Sequence, residues 1–144
     1  MNKILNLVSP EAVQSHLGIT QSVIQRMAAN STASKAWCIT LVSAILVIIA
    51  EREERNYAFI GVVPTLLFFI LDTYYLALEK AFRQSYNEFI DKLHNGKVIS
   101  KDLYVITPKG SLAKGFIRAI CSVSIWPFYI TMLIVIWIFR SAIF

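Results

Sequence analysis

Apolar residues along this chain gather into runs that are too long to be single faces of a soluble core. Ala119 to Phe139 is 21 consecutive residues without a charge. A helix of that length, rising about 1.5 Å per residue, covers the ~30 Å hydrocarbon core of a bilayer. Tyr57 to Leu78 is a second run, 22 residues with one charge, Asp72; it spans if that carboxylate sits near an interface or has a partner. Ala36 to Ala50 offers only 15 uncharged residues, but Lys35 is the sole charge between Ala28 and Ala50, and a lysine near a helix end reaches the headgroups along its own stem. The pattern predicts an all-α integral membrane protein, a single membrane domain over 1–144, with transmembrane helices at 34–50, 57–78 and 117–139.

The segments between these runs follow a different period. Ser9-Pro10-Glu11 is a helix start, with serine as N-cap, proline in the first turn and an acid at the positive end of the dipole. Val13, Leu17, Val23, Ile24, Met27 and Ala28 then recur near every third or fourth position. Residues 1–33 are therefore expected to form a cytoplasmic amphipathic helix, or two if Gly18 and Thr20 break it. That segment would lie on the inner leaflet or pack against the helix after the second span. Leu76 to Leu93 is rich in helix formers, with no glycine or proline before Gly96, so the second span continues as a helix into a cytoplasmic helix-and-loop segment, 79–115. Val98-Ile99 and Val105-Ile106 in that loop suit a short extended turn, and Pro64 and Pro127 lie within the spans, where proline kinks a helix.

Composition agrees with the pattern: of 144 residues, 56% are hydrophobic and the mean hydropathy is +0.58, well above the share a soluble domain carries. Asn2 to Leu7 is too short for the apolar region of a cleavable signal peptide, so the amino terminus is expected to be kept. Cys38 and Cys121 both fall within the expected spans, where cysteine behaves as a small apolar residue. Charge adds orientation. Lys3, Arg26 and Lys35 precede the first span and Lys80, Arg83, Lys92, Lys97, Lys101, Lys109, Lys114 and Arg118 lie between the second and third, whereas the other side holds Arg52, Arg55 and Arg140. Lysine and arginine accumulate on the cytoplasmic side, which places the amino terminus inside and the Glu51-Arg52-Glu53-Glu54-Arg55-Asn56 connection and the carboxyl terminus outside.

Candidate chemistry concentrates on the second helix. Asp72, Glu79 and Arg83 fall on adjoining turns of one face, with Tyr75, Phe82 and Tyr86 beside them as candidate partner or oligomer contacts. A carboxylate inside a span is costly unless paired; Lys35 and Arg26, on the same side of the membrane, are the candidate cations. This row is either a polar clamp fixing the helix hairpin, the simpler reading, or a gate in an ion path. His16 and His94 have no second ligand at helical spacing, so no metal site is expected, and both are expected to be solvated. No nucleophile with a base, no phosphate loop and no catalytic residue can be named, and no cofactor is expected.

Three blocks carry a resemblance. They are His16-Leu17 with Gln21, Val23-Ile24, Arg26-Met27-Ala28, Asn30-Ser31 and Lys35-Ala36-Trp37; Leu71-Asp72 with Tyr74-Tyr75-Leu76, Glu79, Phe82-Arg83 and Tyr86; and Ser122 to Tyr129. Through them the chain resembles a family of small uncharacterised bacterial inner-membrane proteins carried on mobile elements and beside phage-defence genes. The resemblance implies a multi-span bundle of the cell inner membrane that assembles as a homo-oligomer and, in antiviral defence, perturbs the membrane, for instance as a pore; it carries over no functional residue. The alternatives are a membrane anchor or scaffold recruiting a cytosolic protein partner through residues 77–95, where Tyr86, Phe89 and Ile90 would be exposed, and a small channel or transporter subunit. The lipid bilayer is the expected partner in every case, with no specific nucleic acid.

Overall fold

The computed structural model describes residues 8–52 and 55–142; the readings made on Asn2–Leu7, Lys3, Glu53 and Glu54 lie outside the described residues. Helix α1, Pro10–Glu51, begins where the capping pattern places it, with the Ser9 hydroxyl accepting the Ala12 N–H at 3.2 Å. It then runs without interruption for 42 residues, about 63 Å. The expected division between an amphipathic segment at 1–33 and a span at 34–50 is thus corrected: one helix carries both. Gly18 costs roughly 1 kcal/mol in a helix interior, which a continuous packed stripe outweighs, and the Thr20 hydroxyl donates to the His16 carbonyl four residues back instead of breaking the turn.

After a 3-10 segment at Arg55–Gly61, helix α2, Val62–His94, returns antiparallel to α1. Ser31 meets Asp72 and His16 meets Phe89, so each step forward on α1 matches a step back on α2. The buried stripe of α1 is His16, Thr20, Ile24, Ser31, Ser34, Cys38, Val42, Leu46 and Ile49, with steps of three, four or seven residues. Small residues let the helices approach, and their hydroxyls are satisfied locally: Ser34 donates to the Asn30 carbonyl, Thr65 to Gly61 and Thr73 to Phe69. Pro64 sits in the first turn of α2, where its missing N–H would have had no helical partner, and not as a kink in mid-span.

The third apolar run departs most from expectation. In place of one helix over 117–139 there are two, α3 at Leu112–Ile120 and α4 at Trp126–Ala142, separated by a turn at 121–125. Pro127 supplies no N–H and favours a first turn, so it opens α4 instead of bending a longer helix. α3 lies on α2, where a side chain at Gly115 would touch Ala77. α4 runs antiparallel to α2, with Tyr129 beside Asp72 and Ile136 over Gly61. Among the described residues there is no strand; in the loop after α2 the Ile99 backbone is extended, and a 3-10 turn, Ser100–Asp102, follows it.

Two helices, α1 and the 56–94 element that α2 completes, are long and apolar enough to cross a membrane. Their outward faces are apolar: Trp37, Val47, Val63, Leu67 and Ile70 are each more than half exposed, and Trp137 on α4 is 67% exposed. Inside, Val42, Leu46, Ala58, Ile125, Tyr129, Met132 and Ile136 form one cluster where the three elements meet. Gly61 lies close against it: a Cβ there would stand 3.3 Å from Ile136 Cδ1 and 3.7 Å from Val42 Cγ1. Gly61→Leu is expected to separate α4 from the hairpin at a cost of about 1–3 kcal/mol, read as a lowered thermal midpoint of the detergent-purified protein, whereas Gly18→Ala, in open space, is expected to raise the midpoint, by up to about 1 kcal/mol of stability.

Candidate functional site

Four polar side chains converge where α1, α2 and α4 touch. Ser31 and Lys35 stand one turn apart on α1, Phe68 and Asp72 one turn apart on α2, and Tyr129 one turn into α4. Asp72 has no exposed surface. Its Oδ1 accepts the Ser31 hydroxyl proton, and its Oδ2 lies 2.6 Å from Lys35 Nζ and 3.2 Å from the Tyr129 hydroxyl. That hydroxyl is also 3.0 Å from the Phe68 carbonyl, so its one proton is shared between two acceptors. Lys35 keeps 21% of its side chain exposed and touches Ser31 Oγ at 3.5 Å: its ammonium turns inward to the buried carboxylate while part of the side chain stays at the surface. The Tyr129 ring is held edge-on by Phe69 at 5.3 Å and Phe128 at 4.9 Å, which fixes the phenol against Asp72.

The predicted row divides. Lys35 and Asp72 are brought together; Glu79 and Arg83 form a separate pair at 2.8 Å, with Arg83 largely exposed, and do not join Asp72. Arg26 is exposed and makes no ion pair among the described residues. Tyr75 borders a shallow hollow with Trp37 and Asn30, and Phe82 and Tyr86 are half-buried. Phe89, expected to be exposed, is 6% exposed. Ser31 and Tyr129 are two of Asp72's three partners yet had no signal of their own: a serine in a helix and a tyrosine in an apolar run are both commonplace. As a chemical device the cluster is a charge pair closed among three helices, and it contains no activated nucleophile. Among the described residues no group of three His, Cys, Asp or Glu side chains could hold a metal ion.

The far end of the hairpin holds a second arrangement. His16 is 4% exposed, which corrects the expectation of a solvated histidine. Its ring packs on Phe89 at 4.2 Å, and its Nδ1 accepts the backbone N–H of Tyr104 at 3.0 Å, an acceptor role that puts the proton of the neutral ring on Nε2. Tyr104 holds φ +61°, a left-handed conformation that a bulky residue adopts only when its surroundings hold it there. Asp102 anchors the same loop, accepting from Lys92 at 2.7 Å and from the Ile99 N–H at 3.1 Å. His16 became buried because α1 is continuous and α2 extends to His94, which together carry this turn of α1 under the loop.

Two predictions follow from these contacts. Asp72→Ala leaves the Lys35 ammonium without its carboxylate in an apolar setting and is expected to cost about 3 kcal/mol, whereas Lys35→Met with Asp72→Leu recovers most of that loss; a double-mutant cycle on thermal unfolding measures the coupling. For His16, burial pushes the pKa below the usual 6.5, opposed by the nearby Asp102. The folded state therefore binds its proton later than the unfolded state, and stability falls as pH drops through 6.5 toward the lower folded value. Of the charged groups around the ring, Glu88, Lys92, Lys101, Asp102 and Lys109, Asp102 is held below the usual carboxylate range by Lys92 and the Ile99 amide and so stays ionised through this window. Relative to the intrinsic exchange rate at each pH, the protection of the Tyr104 amide is expected to fall between pH 7.5 and 5 in the native chain, and to lose that dependence in His16→Gln.

No family model, no curated protein and no solved structure matches this chain.

Proposed function

We propose that the chain is a bacterial inner-membrane protein with three spans and a cytoplasmic amino terminus, and that it acts as a homo-oligomer that perturbs the membrane in anti-phage defence. The observation that supports the reading is the outward surface of the bundle. Apolar side chains on α1, α2 and α4 point away from the core, while Asp72, the one carboxylate within the apolar zone, is closed off internally. Such a surface suits lipid and neighbouring copies. α4, with 17 residues and about 25 Å of rise, completes a third crossing together with the turn that precedes it. With Asp72 occupied inside one copy, a hydrated path would have to run between copies, and the polar cluster acts as the clamp that keeps each copy intact. The defence setting rests on the family resemblance.

A second reading has its own support. Beyond the apolar zone α1 and α2 continue side by side as a stalk, fastened by His16, Phe89 and Tyr104, which is what an anchor presenting a rigid surface to a cytosolic partner would need. Electron microscopy of the detergent-purified protein separates the two. A closed ring with a central opening, together with dye release from vesicles that survives Asp72→Asn, supports the pore and the clamp; a monomer that leaves vesicles sealed favours the anchor.

A further inference from the structure

We propose that the cleft between α2 and α3 is a binding site for the phosphate of an anionic phospholipid. The cleft, about 200 Å³, is lined by Lys80, Lys109, Lys114 and Arg118, with Gln84 and Ser111 as neutral polar groups and no acidic side chain. Four cations from two helices and the loop between them therefore converge on one space. Lys109 has Glu88 at 3.5 Å; Lys80, Lys114 and Arg118 form no ion pair among the described residues. Like charges lining one cleft repel one another, and a phosphate among them would reduce that repulsion while accepting hydrogen bonds. The cleft is built into the fold: the Lys109 N–H donates to the Ala81 carbonyl at 3.3 Å, Gly110 turns the chain at φ +82°, and Gly115 lets α3 settle against Ala77.

A lipid is favoured over a free phosphate because of what adjoins the cations. Leu112, which lines the cleft, is 40% exposed, and Ile117, next to Arg118, is 64% exposed; such apolar side chains beside lysine and arginine are the composition of a helix lying at the headgroup level. Basic pockets between helices at the inner face of a membrane suit anionic headgroups. The site rests on the membrane reading proposed above, and the experiment separates the two failures.

The full chain would be reconstituted into vesicles of phosphatidylcholine alone and with added phosphatidylglycerol or cardiolipin. Lipid retained on the purified protein would be measured by native mass spectrometry. Incorporation into the neutral vesicles tests the membrane reading alone. The site predicts retention of the anionic lipids over phosphatidylcholine and a loss of at least about tenfold in K80Q/K114Q/R118Q. It predicts little change in R26Q/K97Q/K101Q, which removes the same charge from outside the cleft, and no displacement by millimolar inorganic phosphate. If the first triple variant fails to fold, K80Q and K114Q singly are each expected to weaken retention about fivefold. Equal loss in both triple variants would show diffuse attraction to the surface and overturn the site; displacement by inorganic phosphate would overturn the lipid as its ligand.

Discussion

A carboxylate buried among apolar helices is tolerated only if charge and hydrogen bonds surround it, and the arrangement around Asp72 depends on that requirement. Its partners come from both of the other long elements, Ser31 and Lys35 from α1 and Tyr129 from α4. Neither helix can slide or rotate without exposing the carboxylate to an unsatisfied setting, where one lost partner costs more than the intact pair ever contributed. The apolar contacts around it are more forgiving: Val42, Leu46, Met132 and Ile136 could exchange neighbours at small cost. The cluster thus selects one register from the several that apolar packing alone would accept.

That constraint reaches along the hairpin. With Ser31 fixed opposite Asp72, the antiparallel pairing of α1 and α2 brings Gly61 under Ile136 at one end and His16 against Phe89 at the other. The loop then folds back to give its Tyr104 amide to His16. The two ends differ in character. One is apolar and closely packed; the other is polar, carries the titrating ring, and is fastened by an ion pair between Lys92 and Asp102 that lies near water and is correspondingly weak on its own.

On the proposed membrane reading, the same geometry separates two kinds of charge. The buried pair is neutral as a unit and sets structure. At the α2–α3 cleft Lys80, Lys114 and Arg118 form no ion pair among the described residues, which leaves them available to the headgroups and to a sidedness signal.

The apolarity of α1 and α2, the Ser9-Pro10 start, the absence of a break before Gly96 and the need of Asp72 for a cation were legible in the sequence, because each depends on local covalent chemistry or on the cost of burying charge. Lys35 could be named as a candidate partner because a hairpin between two adjacent runs leaves few alternatives. Tertiary structure decided the rest. Which of Lys35 and Arg26 meets Asp72 depends on the rotation of α1, which packing sets. Whether Glu79 joins the cluster depends on Arg83, which satisfies it first from its own helix. The break at 121–125 pits the apolar run against Pro127, and apolarity alone does not show that the proline wins. The burial of His16 arises from a loop 88 residues away in sequence, a contact between distant segments that no local pattern encodes.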